Sequence, residues 1–318
     1  MSSIKEAAMN TVAGCMAVQK GESVLVICDQ PERKIGFTLW EAARELGAEA
    51  MLLEIIPRSG NGEEPPPAVA EFMKKVDVLL CPTSKSLTHT DARRAACAAG
   101  ARVATLPGIT EDCMIRCLNA DYTKIAGLSQ RVTDVLSAGS LARVTSPAGT
   151  DVSFSIEGRE AHADTGLVHK PGDISNLPAG EAYLAPVEGT ANGVVVFEAA
   201  VAGLGKLGSE KIHIKIEDGY ATEITGGPQA SRLESIIEPY GKDGFNLAEL
   251  GVGTNDKAQI TGLILEDEKI LGTVHLALGD NKSMGGKIGV SSHLDGLVLK
   301  PSVWVDNELI MEDGNLQV

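Results

Sequence analysis

Ser23-Val-Leu-Val-Ile-Cys28 (SVLVIC) is a short, nearly unbroken apolar run with polar residues on either side. A run of this length, rich in β-branched residues, reads as a strand covered on both faces rather than as a helix. The chain after it repeats the pattern. Ile35–Leu46 has helical periodicity and stops at Gly47, Glu49–Ile56 reads as a second strand, and Pro67–Lys75 as a second helix. Val76–Cys81 (VDVLLC) is a third strand, Thr90–Ala99 a helix capped by Gly100, and Arg102–Leu106 a fourth strand. Upstream, residues 2–19 read as an amphipathic helix ending at Lys20-Gly21. Strands separated by helices in this way make βαβ units, so an open α/β domain with a parallel sheet is expected.

Ligands of such sheets approach the carboxyl ends of the strands. Here those ends are Asp29-Gln30, Pro57-Arg58, Pro82-Thr83-Ser84 and Pro107-Gly108. No G-x-G-x-x-G follows the first strand and no phosphate-loop Lys-Thr signature occurs, so a nucleotide site is not expected. Thr88-His89-Thr90-Asp91 reads as a helix N-terminus with a threonine cap.

The texture changes near Leu136–Ser140. Alternating runs appear at Leu141–Ser146, Asp151–Ile156, Ala182–Ala185, Gly193–Phe197, Lys211–Ile216, Leu263–Leu265, Leu297–Val305 and Glu308–Met311. One helical stretch, Gln229–Pro239, interrupts them. The expected organisation is an α/β domain over residues 1–138, then an α+β, β-rich metal-binding domain over 139–318 with mostly antiparallel pairing.

Composition narrows the function classes. The chain has 318 residues, 43% of them apolar, enough for two full cores. The formal net charge of −15 argues against nucleic acid and anionic membrane as partners, and 3% aromatics offers no base-stacking platform. With no apolar run of membrane-spanning length and no signal-like start, a cytoplasmic protein is expected. The six cysteines, Cys15, Cys28, Cys81, Cys97, Cys113 and Cys117, lack zinc-ribbon spacing and read as reduced core residues.

Chemistry concentrates in Glu268–Asp295, EKILGTVHLALGDNKSMGGKIGVSSHLD. His275 sits in the strand-like TVHLALG, its neighbours Val274 and Leu276 facing away from it. In SSHLD the two-residue period puts His293 and Asp295 on one face and Leu294 on the other. Two imidazoles and a carboxylate on adjoining strands make a plausible divalent-metal set, although each histidine alone could simply cap a strand or bond a carbonyl. Two further segments add carboxylates. Asn176-Leu-Pro-Ala-Gly-Glu181 delivers Glu181 onto a strand, where the plainer reading is an ordinary turn with a solvated glutamate. Asn246-Leu-Ala-Glu249-Leu-Gly-Val-Gly-Thr-Asn255 holds Glu249 among apolar residues, where a carboxylate needs a cation or a donor. Together these groups suffice for one metal ion, or for two sharing a carboxylate.

Taken in order, the Glu181, Glu249, His275 and His293/Asp295 segments resemble the aminopeptidase T (thermophilic-type leucyl aminopeptidase) family. Ser146-Pro-Ala-Gly-Thr-Asp151 matches as well. The resemblance covers residues from about 140 to 300 and reaches the first half only in general layout. It implies a homodimeric metallo-aminopeptidase with Glu181, Glu249, His275, His293 and Asp295 as ligands of one or two Zn, Co or Mn ions. The resemblance also implies a metal-activated water attacking the first peptide bond of a small peptide, with Glu181 shuttling the proton. The family's tyrosine after the first histidine has no counterpart here, where the chain reads Asp280-Asn281-Lys282-Ser283. A second branch of the same superfamily, 2,5-dihydroxypyridine 5,6-dioxygenase, uses one Fe(II) with two histidines and a carboxylate. His275, His293 and Asp295 satisfy that set too, leaving Glu181 and Glu249 to contact substrate. Another metal enzyme acting on a small acid, or a metal-binding scaffold without turnover, completes the alternatives.

Overall fold

The computed structural model describes residues 3–318. The chain forms two compact units, one holding the residues up to Lys124 and Thr165–Ala179, the other Ile125–Asp164 and Gly180–Val318. This differs from a single break at 138/139 for two reasons. The Tyr122–Ala138 helix contributes Val132 and Leu136 to the core of the second unit. Ile174–Asn176 runs back to pair, in parallel, with Arg102–Thr105 of the first.

The first unit is built on a five-stranded, wholly parallel sheet in the order Glu49–Ile55, Ser23–Asp29, Val78–Cys81, Arg102–Thr105, Ile174–Asn176. Val78–Cys81 and Arg102–Thr105 are buried throughout and Ser23–Asp29 nearly so, as their apolar runs require. The intervening helices begin where their caps dictate. The side chains of Thr90 and Thr110 accept the backbone N–H of Arg93 and Cys113, two donors that the first turn cannot satisfy itself.

The amino-terminal segment departs from one regular helix. Ile4–Met9 is α-helical and Asn10–Cys15 widens into a π-helix; residue 2 lies outside the described residues. The Thr11 hydroxyl donates to the Ala7 carbonyl at 2.7 Å, competing with the ladder, and Met16 N–H reaches back to the Thr11 carbonyl. The Glu111–Cys117 and Tyr122–Ala138 helices were not legible as periodic runs. All six cysteines are free thiols, and Cys28 is buried.

The second unit contains two antiparallel sheets. The larger runs Tyr220–Thr225, Ile212–Glu217, Asn192–Phe197, Asp151–Ser155, Leu141–Thr145, Ser302–Val305, Glu308–Glu312, Asn315–Leu316. The other runs Gly205–Lys206, Ala200–Val201, His293–Leu299, Thr273–Gly279, Leu247–Gly253, Glu181–Leu184, His162–Asp164. One apolar core joins them, taking Phe154, Phe197, Ile214 and Val303 from the first sheet and Leu184, Leu250, Leu276 and Val298 from the second.

Two expectations give way here. Leu263–Leu265 is no strand; Ile264–Asp267 makes one helical turn, and its buried Glu266 and Asp267 carboxylates accept the amides of Gln259, Thr261 and Gly262. Leu297–Val305 is two strands in different sheets, since the chain turns at Lys300 (φ 46°) and Pro301 supplies no ladder donor. The helix expected at Gln229–Pro239 spans Pro228–Ile237 and continues as 3-10 turns over Glu238–Phe245.

Candidate metal centre

Strand alternation decides which side chains meet. In the second sheet Ala182, Leu184, Leu250, Val252, Val274, Leu276, Leu278 and Val298 face the core. The intervening positions therefore project from the opposite face. Those positions are Glu181 and Tyr183, Glu249 and Gly251, His275 and Ala277, His293 and Asp295, on four adjacent strands. Leu247 and Glu249 would share a face in a regular strand, yet Leu247 packs in the core. A bulge between them resets the alternation and aims Glu249 outward.

Gly251 lies directly across from His275. A Cβ at position 251 would sit 1.9 Å from His275 Nε2, so the missing side chain is what lets the imidazole lie across its neighbour strand. His275 Nε2 thereby comes to 3.2 Å from Glu249 Oε1 and 3.4 Å from Glu181 Oε2. His293 Nε2 lies 2.9 Å from Glu249 Oε2 and 3.3 Å from Asp295 Oδ1. The five sequence-nominated residues thus converge, and within them Glu249, His293 and Asp295 place a ligand atom each within 4.8 Å of one another. The tautomer of His293 is set from behind, where its Nδ1–H donates to the Asp280 carbonyl at 2.7 Å, leaving Nε2 directed at the carboxylates.

Four residues that sequence reasoning did not nominate join the cluster. Lys269 is 1% exposed, and its Nζ donates to Glu181 Oε1 at 2.6 Å and to Glu268 Oε1 at 2.7 Å, with Asp164 Oδ2 at 3.6 Å. Tyr183 stands in the same cross-strand row as Gly251 and His275, with the His162 ring 5.4 Å from its own. Lys269 belongs to the acidic stretch Glu266-Asp-Glu-Lys269, which in sequence looks like a solvated turn. Only the apolar residues after it, Ile270 and Leu271, hint at burial. The Gly-rich Asn246–Asn255 motif explains how Lys269 is held. Asn255 N–H donates to the Lys269 carbonyl, Leu271 N–H returns to the Asn255 carbonyl, and Thr254 N–H donates to the Gly180 carbonyl beside Glu181.

The electrostatics follow from five carboxylates (Asp164, Glu181, Glu249, Glu268, Asp295) packed against one ammonium and two imidazoles. Burial pushes the Glu181 carboxyl up to about 8 against the pull of Lys269. Burial also opposes ionisation of Glu249, but its bonds to His275 and His293 outweigh that and hold it well below the ordinary range. Burial disfavours the charged form of His275, yet Glu249 and Glu181 raise it to about 9. His293 is likewise carried far above its usual value despite burial, by Asp295 and Glu249. A buried group of anions held together by borrowed protons is the donor set that a divalent cation fits, replacing those protons at the imidazole nitrogens. Glu181 Oε2 points the same way, being buried without a hydrogen-bond partner among the described residues.

The family model described as NicX, 2,5-dihydroxypyridine 5,6-dioxygenase, matches residues 5–318. A curated 2,5-dihydroxypyridine 5,6-dioxygenase of Pseudomonas putida is 24% identical over 185 residues, 54% of this chain and 53% of that protein. The matched stretch therefore spans about half the length of that relative. Among solved structures, 2,5-dihydroxypyridine dioxygenase from Pseudomonas putida KT2440 superposes with a TM-score of 0.84 at 19% identity, covering 98% of this chain and 96% of the other. Wild-type AmpT from Thermus thermophilus superposes with a TM-score of 0.74 at 16% identity, covering 99% of each chain. These two likenesses are of fold. Of the two families weighed from the sequence motifs, the family match falls on 2,5-dihydroxypyridine 5,6-dioxygenase, while the likeness to aminopeptidase T is one of fold. The chain belongs to the 2,5-dihydroxypyridine 5,6-dioxygenase family.

Proposed function

We propose that the protein is a ring-opening dioxygenase that works with a single iron(II) ion on a small hydroxylated nitrogen heterocycle of the 2,5-dihydroxypyridine kind. The observation that carries this reading is the engagement of Glu181 by Lys269 at 2.6 Å. A two-metal peptidase centre would need Glu181 as a ligand, whereas here its Oε1 already has a permanent cation. What remains is a set suited to one ion: His275, His293 and Asp295, with Glu249 touching both imidazoles. The family match supports the same reading.

When bound, iron(II) would supply the oxygen chemistry that amino-acid side chains lack. The chain's own groups position and move protons. Glu249 fixes the two imidazoles relative to each other, and the Asp280 carbonyl holds His293 in one tautomer. Glu181, with Oε1 held by Lys269 and Oε2 making no hydrogen bond among the described residues, is the group nearest to hand for taking a proton from a substrate hydroxyl. His275, Glu181 and Glu249 are nearly inaccessible to solvent, which strengthens each of these interactions.

The test is purification under anaerobic conditions, reconstitution with Fe(II), and measurement of oxygen uptake on adding 2,5-dihydroxypyridine. Uptake that depends on substrate, with no release of p-nitroaniline from leucine p-nitroanilide under Zn, Co or Mn, is the expected result. Hydrolysis of the anilide without oxygen uptake overturns the proposal in favour of the peptidase.

A further inference from the structure

We infer that Lys269 is a built-in substitute for a second metal ion, its ammonium occupying a buried carboxylate pocket that would otherwise take a second divalent cation. The inference rests on the single-metal reading of the site and explains how this chain enforces it.

A lysine 1% exposed in a β-rich core is costly unless fully paired. Nζ is surrounded by carboxylate oxygens of three residues from three separate segments: Glu181 at 2.6 Å, Glu268 at 2.7 Å and Asp164 at 3.6 Å. Oxygen donors converging on one point are what a hard divalent cation takes. Glu181 links this group to the first site, since its other oxygen, buried and without a hydrogen-bond partner among the described residues, lies 3.4 Å from His275 Nε2. Two cation positions therefore sit side by side. One is framed by His275, His293, Asp295 and Glu249, the other by Glu181, Glu268 and Asp164, whose oxygens are spread around the ammonium that fills it. The backbone of Lys269 is also fixed, its carbonyl accepting Asn255 N–H and its N–H donating to the Glu266 carbonyl, so the stem of the side chain starts from a set place.

The experiment removes the ammonium and counts metal. Wild type, Lys269→Ala, and the double variant Lys269→Met/Glu181→Gln are stripped with chelator, titrated with Mn(II), and analysed by elemental analysis alongside thermal unfolding. Wild type should take up one equivalent, Lys269→Ala two, and the double variant one, because it loses the carboxylate shared with the second position. The unfolding midpoint of Lys269→Ala should keep rising with Mn(II) beyond the first equivalent, which wild type should not do. One equivalent in Lys269→Ala, or a Lys269→Ala chain that folds neither with nor without Mn(II), overturns the inference while leaving the single-metal reading in place. Two equivalents in wild type overturn that reading itself.

Discussion

Replacing Gly251 by alanine adds one methyl group at the point where the His275 ring crosses the sheet. The new Cβ would lie 1.9 Å from Nε2, 2.1 Å from Cε1 and 2.7 Å from Cδ2 of His275. Ordinary carbon contacts are about 3.5–4 Å, so the ring must retreat by roughly 1.5–2 Å. That breaks the 3.2 Å contact with Glu249 and the 3.4 Å approach to Glu181. Hydrogen bonds to charged groups are worth about 1.5–3 kcal/mol, so the metal-free protein should lose about that much stability. The larger effect is on metal, because a displaced ligand costs more than the roughly 10–100-fold that results from disturbing a ligand's supporting partner. Metal affinity should therefore fall at least about 100-fold, read by competition with a chelating dye. The fold should persist, since Leu250 and Val252 face the core from the other side of the strand and are untouched. A Gly251→Ala protein that folds normally and binds metal as tightly as wild type would refute the assignment of His275 to the centre.

Metal uptake should also release protons. Both imidazoles are held protonated above neutrality in the metal-free cluster, His275 up to about 9, so binding at pH 7 should expel about two protons per ion, measured calorimetrically in buffers of different ionisation enthalpy. Without metal the sign for stability is fixed by the same shift. The contribution of His275 is complete below its ordinary value of 6.5 and is lost as pH rises through about 9, so the chelated protein should unfold more easily in alkali. Glu188→Ala should loosen the loop that leads into His293, because Glu188 accepts the Asn281 side chain at 3.0 Å and the Lys287 amide at 2.7 Å while pairing with Arg159. Leaving the Arg159 guanidinium buried without its partner costs about 3 kcal/mol, the lower end for a broken buried pair since the Pro186 and Gly285 carbonyls remain. Thermal unfolding should show that loss, and Glu188→Gln should recover part of it.

Much of this was legible because the relevant signals are local. SVLVIC and the VLLC of VDVLLC read as buried strands and are, and Thr90 and Gly100 mark their helix from both ends. The His293-Leu294-Asp295 alternation placed two donors on one face without any knowledge of the neighbouring strands. What stayed hidden depends on distant partners. The Ile174–Asn176 strand has only three residues and is defined by Arg102–Thr105, some seventy positions earlier in the chain. Lys269 reads as a surface charge until Glu181 and Asp164 are seen to close over it. The split of Leu297–Val305 between two sheets hinges on one residue, Lys300, whose positive φ no composition rule selects.

A single metal ion held by His275, His293, Asp295 and Glu249 is the central claim. Its most direct test is metal identity and stoichiometry on anaerobically purified protein, with His293→Ala prepared in parallel. One iron per wild-type chain is expected, with loss of that iron in His293→Ala, whose fold is retained. Two zinc, cobalt or manganese ions per wild-type chain, or iron retained in full by His293→Ala, would contradict it.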